Sequence, residues 1–259
     1  MKKNRILSVT VTVLAVTVLL GVFAYIFVGG DFSHIAVAVR ELFGNNEDLG
    51  EIVPGDGGRI YQSLMGLAEY ENIAVDKGIS LDRVEEILRN VKENDHYHCV
   101  YKITRFDGTA NAAQTVEIRK SGDRYRINTS SADGESYVIS SGGKLFTKSY
   151  TGESYTVESG SFSVSQQAGI PDVSSLADTL NKDGVTSTCS IANDISVGYS
   201  ILCVDYHDPS NGRRETVYIH IEAGVVISAQ SYYTDNLYYQ CSTESISYGK
   251  AMADAYFEF

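Results

Sequence analysis

His96, His98 and Cys99 form the densest group of metal-ligand side chains in the sequence. Successive side chains of a β-strand point to opposite faces, so the two histidines share one side and the cysteine lies on the other. Two ligands on one side are too few for a zinc site, which takes three or four protein ligands. We expect ordinary exposed strand histidines and predict no metal site here.

Asp205, His207 and Asp208 could bind a cation or support acid–base catalysis. They lead directly into the residues Pro-Ser-Asn-Gly at 209–212, however, and this composition is typical of a turn. The sequence also lacks G-x-S-x-G, P-loop, G-x-G-x-x-G and H-E-x-x-H motifs. We therefore predict no catalytic residues and no cofactor, so the protein is not expected to be an enzyme. An envelope enzyme of unknown class is the weakest alternative.

Arg119, Lys120, Arg124 and Arg126 make a small basic patch in an otherwise acidic protein. The patch could contact a carboxylate-bearing partner, but solvation of a polar sheet face is the favoured interpretation. The chain of 259 residues has 21 Lys and Arg against 33 Asp and Glu, a formal net charge of −12. Affinity for DNA or RNA comes mainly from neutralising phosphates, so we predict no nucleic-acid partner. A hydrophobic content of 43% excludes a disordered chain.

Residues 6–28, ILSVTVTVLAVTVLLGVFAYIFV, contain no charged side chain. A helix of this length spans a hydrocarbon core of about 30 Å at about 1.5 Å per residue. Lys2, Lys3 and Arg5 precede the segment, and the positive-inside rule then leaves the N-terminus in the cytoplasm. We predict a single-pass membrane anchor with everything after it outside the cell membrane. A cleaved signal peptide is the alternative, although Val28 and Gly30 before Asp31 make a weak cleavage site.

The four cysteines all follow the predicted anchor, where disulfides are permitted. Cys189 and Cys203 lie in two strand-like runs joined by a turn-rich segment, which favours a disulfide between them. Cys99 and Cys241 would then pair by elimination. Four buried free thiols are the alternative.

Three amphipathic helices are predicted after a short one at residues 31–43 and a Gly-, Asn- and Asp-rich linker at 44–58. They cover residues 59–70, 81–91 and about 172–182. Ser80 is the expected N-cap of the second of these helices.

From His96 onward the hydrophobic residues recur with a period of two, in eleven short runs rich in Val, Ile, Thr and Tyr. Gly, Asp and Asn turns separate these runs. This pattern predicts an antiparallel meander.

Apolar and polar residues alternate along several of the predicted strands, so one face of the sheet should be apolar and the other should face water. The apolar side is expected to carry Tyr97, Tyr101, Ile103, Val116, Ile118, Tyr125, Ile127, Val217, Ile219 and Ile221. The wet side is expected to carry Lys102, Glu117, Arg119, Arg124, Arg126, Thr216 and His220. An apolar face needs a cover, and the three helices are the available candidates. Sheet twist should curl so many strands strongly.

Tyrosine is unusually frequent, with 18 copies and no tryptophan. Tyr232-Tyr233 and Tyr238-Tyr239 flank a predicted hairpin tip, where amphipathic rings suit contact with a protein or glycan. These four residues are our candidates for partner binding. The alternative is that the rings only fill half-buried strand positions.

The order of these elements resembles the LolA/LppX-like family of bacterial extracytoplasmic lipoprotein carriers and their RseB-type relatives. A helix ending EEILRNV precedes a Tyr-bearing strand and then TVEIRKSGDRYRINTSS, with a Gly-x-x-x-Arg turn at residues 122–126. The following VISSGGK at 138–144 resembles the family's visDGk turn, with Ser141 where Asp is common. The resemblance covers about residues 81–259. It departs from the family in the predicted tether and in the absence of an N-terminal lipidated cysteine.

This resemblance implies a mainly β (α+β) fold, in which a curved antiparallel sheet forms a half-open barrel covered by helices, here preceded by a single transmembrane helix. The concave side would hold a lipid-like ligand or a partner segment, with Tyr101, Ile103, Val116, Ile118, Tyr125 and Ile127 among its lining. An accessory or regulatory module that binds an envelope enzyme or signalling protein through its surface is the alternative. The expected domains are a cytoplasmic tail (1–5), the anchor (6–28), juxtamembrane helices and linker (29–80), and an extracytoplasmic β domain (81–259).

Overall fold

A computed structural model describes residues 56–107, 111–150 and 155–258, which all belong to one compact unit, Gly50–Phe259. The predicted anchor at 6–28, the helix predicted at 31–43 and the linker up to residue 55 lie outside the described residues. Within the described ranges, each helix is too short or too polar to cross a bilayer.

Twelve strands of the described chain form one antiparallel sheet in the order β1-β8-β9-β10-β11-β12-β2-β3-β4-β5-β6-β7. β1 and β7 are its two edges, so the sheet does not close into a barrel. The eleven predicted strands are all present, and the short edge strand β1 was missed. The bounds are β1 Ile73–Lys77, β2 His96–Phe106, β3 Asn111–Ser121, β4 Arg124–Ser131, β5 Gly134–Ser141, β6 Lys144–Lys148, β7 Tyr155–Ser159, β8 Thr186–Asp194, β9 Tyr199–Asp208, β10 Arg213–His220, β11 Val225–Tyr233 and β12 Asn236–Tyr248.

Four α-helices and one 3₁₀ helix accompany the sheet: α1 Asp56–Leu64, α2 Leu81–Asn90, α3 Val164–Ala168, α4 Val173–Leu180, and the 3₁₀ helix Asp254–Phe257. The predicted N-cap of α2 is confirmed, since the Ser80 hydroxyl accepts a hydrogen bond from the Arg83 N–H at 3.4 Å. The helix predicted at 59–70 is shorter than expected. It ends at Leu64 because the chain turns back at Gly66, whose φ of +69° is left-handed.

One face of the sheet, which we call the inner face, packs into a single hydrophobic core. Strands from both halves of the sheet contribute to it, from Cys189 on β8 to Leu145 on β6. The sheet must therefore curve around this core. Helices α2 and α4 cover it through Val84, Leu88 and Leu180. The mainly β fold with a curved antiparallel sheet and a helical cover agrees with the prediction.

The opposite, outer face is not wet throughout, which corrects the prediction. Helix α1 lies on the outer face of β8 to β11. There Ile60 of α1 packs with Tyr218 of β10 in a second hydrophobic core. The rings of Tyr61 and Tyr218 meet edge to face at 4.4 Å between centroids. His220, expected on the wet side, is only 2% exposed because it lies in this covered region beside Tyr199. Helix α1 was also expected to cover the apolar face and covers the other one instead.

The predicted disulfides are wrong, because the four cysteines are free thiols. In the register of β8 and β9, Cys189 lies opposite Val204 while Cys203 lies opposite Ser190. A shift of one residue puts the two sulfurs on opposite faces of the sheet. Cys241 lies opposite Ile103 and Cys99 opposite Ile246, so the second pair is four residues apart along its ladder. Burial raises the pKa of Cys99 to about 12 and that of Cys189, Cys203 and Cys241 to about 11.

Candidate functional site

The six residues predicted to line the ligand site lie together on the inner face. They are Tyr101, Ile103, Val116, Ile118, Tyr125 and Ile127, and each is at most 3% exposed. Their strands are neighbours, and the register places Tyr101 opposite Val116 and Ile118 opposite Ile127. Tyr101 also reaches across the face, where its hydroxyl donates a 2.6 Å hydrogen bond to the Val226 carbonyl. Their role in holding a ligand stays a prediction.

The helical cover leaves a cavity of about 280 Å³ at one edge of the inner face. Its walls come from the end of α2, from the segment joining α3 to α4 and from the start of β11. The apolar lining includes Val91, Ile170, Val173, Val225 and Val226. This volume is slightly under the roughly 300 Å³ at which ordinary small-molecule sites begin. A larger ligand therefore needs the helical cover to move.

An ion pair between the exposed Glu93, which lines this cavity, and the largely buried Lys120 lies at its rim. The Lys120 ammonium lies 3.5 Å from a Glu93 carboxylate oxygen and donates to the Asn94 carbonyl at 3.1 Å. Tyr97 lines the cavity and donates from its hydroxyl to Glu93 at 2.7 Å. Burial, reinforced by the Glu93 charge, raises the pKa of Tyr97 well above its usual value. The rim holds its charges in fixed positions, which suits orienting a polar group and not moving a proton.

Tyr125 lies in the same cross-strand row as Tyr97, with Lys120 between them. Tyr125 is 3% exposed and lies opposite Ser140, whose side chain is the polar neighbour of its hydroxyl. This hydroxyl is the one buried side-chain polar atom in the described part of the chain without a well-formed hydrogen bond. An unsatisfied buried hydroxyl costs about 1–3 kcal/mol. A ligand that supplied a polar atom here would recover that free energy.

A second polar cluster, which the sequence analysis missed, lies at the opposite end of the inner face. Glu215 is 3% exposed and accepts hydrogen bonds from Tyr206, Arg213 and Ser231, the last at 2.5 Å. Burial and the Glu215 carboxylate raise the pKa of Tyr206. The signal was present, because alternation puts Glu215 on the same side as Val217. With all its donors supplied by the fold, this carboxylate stabilises the strand ends.

The four tyrosines predicted to bind a partner are in different environments. Tyr233 is 60% exposed at the β11–β12 hairpin tip, whereas Tyr239 is 9% exposed and donates to the Gly169 carbonyl at 2.9 Å. Tyr232 is half-buried, with its hydroxyl bonded to Gln230 at 3.2 Å. Tyr238 packs partly against the inner core. Tyr233 alone among the four offers an exposed ring, and partner binding through this group stays a prediction.

The basic patch is occupied by contacts within the chain. Arg124 pairs with Asp254 at 2.8 Å and stacks on Phe257, while Arg119 stacks on Tyr256 with its guanidinium carbon 4.8 Å from the ring centre. The C-terminal 3₁₀ helix thus lies on the outer face of β4 and β5. Arg119 and Arg124 thus bind this helix, and Arg126 bonds to Asn128 on the polar face. Lys120 does not belong to the patch, because it lies on the inner face beside Glu93.

His98, Glu117 and Asn128 form an outer-face network across β2, β3 and β4. Glu117 accepts from His98 and from Asn128 at 2.9 Å each, and Arg119 pairs with it at 2.5 Å. These contacts, led by the His98 hydrogen bond, lower the pKa of Glu117 to about 2. His96 is half-buried beside Ser121. Within the described ranges no three His, Cys, Asp or Glu side chains come together as a metal site.

The turn at 209–212 is formed as its composition suggested. Asp208 accepts hydrogen bonds from the Ser210 N–H at 3.0 Å and the Ser210 hydroxyl at 2.6 Å. These bonds lower the pKa of the Asp208 carboxyl. Asp205 instead pairs with Arg214 at 2.9 Å. Both carboxylates therefore have structural partners.

A larger, open groove of about 490 Å³ lies on the other side of α2. Ile87, Val91 and Ile221 are among its lining, together with the charged side chains Arg83, Glu86, Lys92 and Glu222. Arg83 and Glu86 neutralise one another at 2.6 Å. The groove combines aliphatic and charged groups, as protein-binding surfaces do.

No protein-family model matches the chain, and the comparison with curated proteins gives no match. Among solved structures, a DUF1329 family protein from Desulfovibrio piger is 12% identical with a TM-score of 0.36, covering 69% of this chain and 97% of that one. MucB in complex with MucA(peri) is 13% identical with a TM-score of 0.38, over 69% of this chain and 58% of MucB. A LolA superfamily protein from Nitrosomonas europaea is 10% identical with a TM-score of 0.30, over 70% of this chain and 98% of that one. Structures of the LolA and RseB kind are thus among those this chain is similar to, as the sequence resemblance predicted, and similarities of this size transfer no function.

Proposed function

We propose that the protein is a non-catalytic binding module that takes an apolar group between its helical cover and the inner face of its sheet. The group would be an acyl chain of a lipid-like ligand or an apolar segment of a partner. We also propose that residues 6–28 anchor the domain to the cell membrane, with the β domain (81–259) on the extracytoplasmic side and residues 29–80 between them. The cavity beside Tyr97 carries this proposal.

Three features of the site support binding. The cavity wall combines aliphatic side chains with Ser, Asp and Glu side chains, and its aliphatic part is continuous with the core that contains the six predicted lining residues. The Glu93–Lys120 pair at its rim could orient a polar head group. Deeper in the inner face, the buried Tyr125 hydroxyl makes no well-formed hydrogen bond and would gain from one if the cover moved.

Binding of a whole acyl chain requires movement of α3 and α4. These helices have only five and eight residues, and the segment between them forms one wall of the cavity. Helices this short are held by packing and not by their own helical propensity. We therefore expect a ligand to displace α3 and the start of α4 while α2 stays in place.

Photo-crosslinking in membranes tests the proposal with the full chain. The probe is a fatty acid with a diazirine in mid-chain, and the labelled peptides are located by mass spectrometry. We expect labels at Val91, Val173 and Val226, in addition to any within residues 6–28. The variant Val173→Trp fills the cavity and should reduce the domain labels several-fold.

Val157→Trp is the matched control, because Val157 is 49% exposed on the edge strand β7. It adds the same ring without entering the cavity and should leave the labels unchanged. Labels confined to residues 6–28, or domain labels equal in the two variants, would contradict the binding proposal. Recovery of the chain in the soluble fraction after membrane sedimentation would contradict the anchor.

The groove on the other side of α2 favours a second candidate, an accessory module that binds an envelope protein through its surface. Its aliphatic floor and charged rim suit a partner segment with one apolar side chain between charged ones. Crosslinking in membranes from a photoreactive residue at Asn90, which lines the groove, should then capture one stoichiometric protein. Capture of nothing, with the lipid labels present, would leave the first candidate alone.

A further inference from the structure

The turn between β8 and β9 exposes two large aliphatic side chains at its tip. Ile195 is 75% exposed and Val197 is 45% exposed. Exposed single aliphatic residues are common on proteins. Two of them, two residues apart in one hairpin turn, are a more specific arrangement.

The hairpin turn contributes no exposed charged side chain of its own. From Cys189 to Val204 the one charged residue is Asp194, whose side chain is 1% exposed and pairs with Arg59 at 2.8 Å. The next hairpin turn at the same end of the sheet is different, since the β10–β11 turn carries Glu222, which accepts the Ser200 N–H at 2.9 Å. In a chain with 33 acidic residues, an uncharged aliphatic tip stands apart from its surroundings.

The backbone of the tip is firmly held. Asp194 accepts the Ser196 N–H on its carboxylate at 2.9 Å and the Gly198 N–H on its carbonyl at 2.9 Å. The Ile195 N–H is bonded to the Asn72 carbonyl at 3.0 Å. The aliphatic side chains are therefore presented without a cost for ordering the loop on binding.

The described chain begins beside this tip. Arg59, in the first turns of α1, contacts Asp194, so the N-terminal end of α1 lies at the same end of the sheet as Ile195. Residues 29–55 separate the predicted anchor from α1. A segment of this length reaches at most about 90 Å when fully extended. Such a tether keeps this end of the domain within reach of the bilayer.

We propose that the tip formed by Ile195 and Val197 inserts into the interface of the bilayer to which the chain is anchored, and so orients the domain on the membrane. This inference rests on the proposed anchor. Burial of two aliphatic side chains is weak membrane binding when alone. It becomes effective on a tethered domain, because the tether makes the second contact intramolecular. The partner is the acyl region of a lipid surface, since the two exposed side chains of the tip are aliphatic. The half-exposed Arg59 beside them is already paired with Asp194.

The absence of tryptophan from the sequence makes a clean test possible. Ile195→Trp places a single fluorophore at an exposed position, where it should not disturb folding. The full chain is reconstituted in phosphatidylcholine vesicles, with and without bromine atoms on the acyl chains. We expect Trp emission to shift to shorter wavelength in vesicles and to be quenched by the brominated lipid.

Tyr233→Trp is the matched control, because Tyr233 is 60% exposed at a hairpin tip at the opposite end of the strands. Its emission should stay that of a water-exposed ring and show no quenching by bromine. Equal emission and equal quenching in the two variants would overturn the inference. Vesicle flotation separates the two proposals: a chain that floats without quenching at residue 195 overturns the tip alone, and a chain that does not float overturns the tip and the anchor together.

Discussion

The carbonyl oxygen of Lys92 lies directly over Gly224, where a Cβ atom would be 2.1 Å away. Gly224 also has a φ of +65°, which side chains rarely adopt. This contact joins the end of α2 to the β10–β11 turn, and both form walls of the cavity. A side chain at residue 224 would push these walls apart.

We therefore expect Gly224→Ala to lower the free energy of unfolding by more than about 2 kcal/mol, as the clash adds to the left-handed backbone penalty. Urea unfolding followed by circular dichroism measures this. Gly122→Ala is the control: its φ is also +65°, but nothing lies within 4 Å of the added Cβ. Its cost should be about 1–2 kcal/mol, and equal losses in the two variants would show that the Lys92 contact is unimportant.

Removal of the Tyr125 hydroxyl should not destabilise the protein. The hydroxyl is buried without a well-formed hydrogen bond, so Tyr125→Phe should leave the free energy of unfolding unchanged or raise it by about 1 kcal/mol. Tyr97→Phe instead removes a 2.7 Å hydrogen bond to a carboxylate and should cost about 1.5–3 kcal/mol. Thermal or urea unfolding of both variants measures the difference, and a large loss in Tyr125→Phe would reveal a partner for that hydroxyl.

The stability of the domain should fall in acid partly through Glu117. The His98 hydrogen bond and the other contacts lower the pKa of Glu117 from 4.5 to about 2. A depressed pKa stabilises the fold fully above pH 4.5, and this stabilisation is lost as pH falls from there through about 2. The loss is at most about 3 kcal/mol. We expect Glu117→Gln to show a shallower decline in urea midpoint between pH 5 and pH 2 than the wild type.

Glu158→Gln removes one carboxylate from an exposed position on β7 and is the control for net charge. It should keep the wild-type decline. A decline of Glu117→Gln that matches it would mean that the network around Glu117 does not contribute to acid sensitivity.

All four thiols should be unreactive in the folded protein. Their pKa values are raised by burial to about 11 or 12, so the reactive thiolate is scarce at pH 8. We expect iodoacetamide to modify none of them before unfolding and all four in urea, as counted by intact mass. A mass that shows fewer than four modifiable thiols after unfolding without reductant would instead point to a disulfide.

Local patterns in the sequence were enough to predict most of the helices and strands. Alternation predicted the buried row Tyr97, Tyr101 and Ile103, since period two depends only on the strand geometry. A hydroxyl before an amphipathic run predicted the start of α2 at Ser80. The edge strand β1 was missed because Ile73 and Val75 alone make too short a pattern.

The candidate site was predictable as a surface but not as a cavity. Alternation brought the six inner-face residues together, whereas the filling of that face by Leu88, Val164 and Leu180 depends on packing between distant segments. The buried Tyr125 hydroxyl without a well-formed hydrogen bond and the buried Glu215 cluster also arise only after the strands are paired. Sequence reasoning had no means of counting hydrogen bonds between them.

The sequence by itself determined the acidic charge, the apolar segment at 6–28, and a β domain with one strongly apolar face, because these follow from composition and short-range periodicity. Only the tertiary structure decided that Cys189 and Cys203 face opposite ways, that α1 covers the outer face, and that the inner face is filled except for a small cavity. Each of these depends on register or on which surfaces meet, and a shift of one residue or a different docking face leaves the local pattern unchanged.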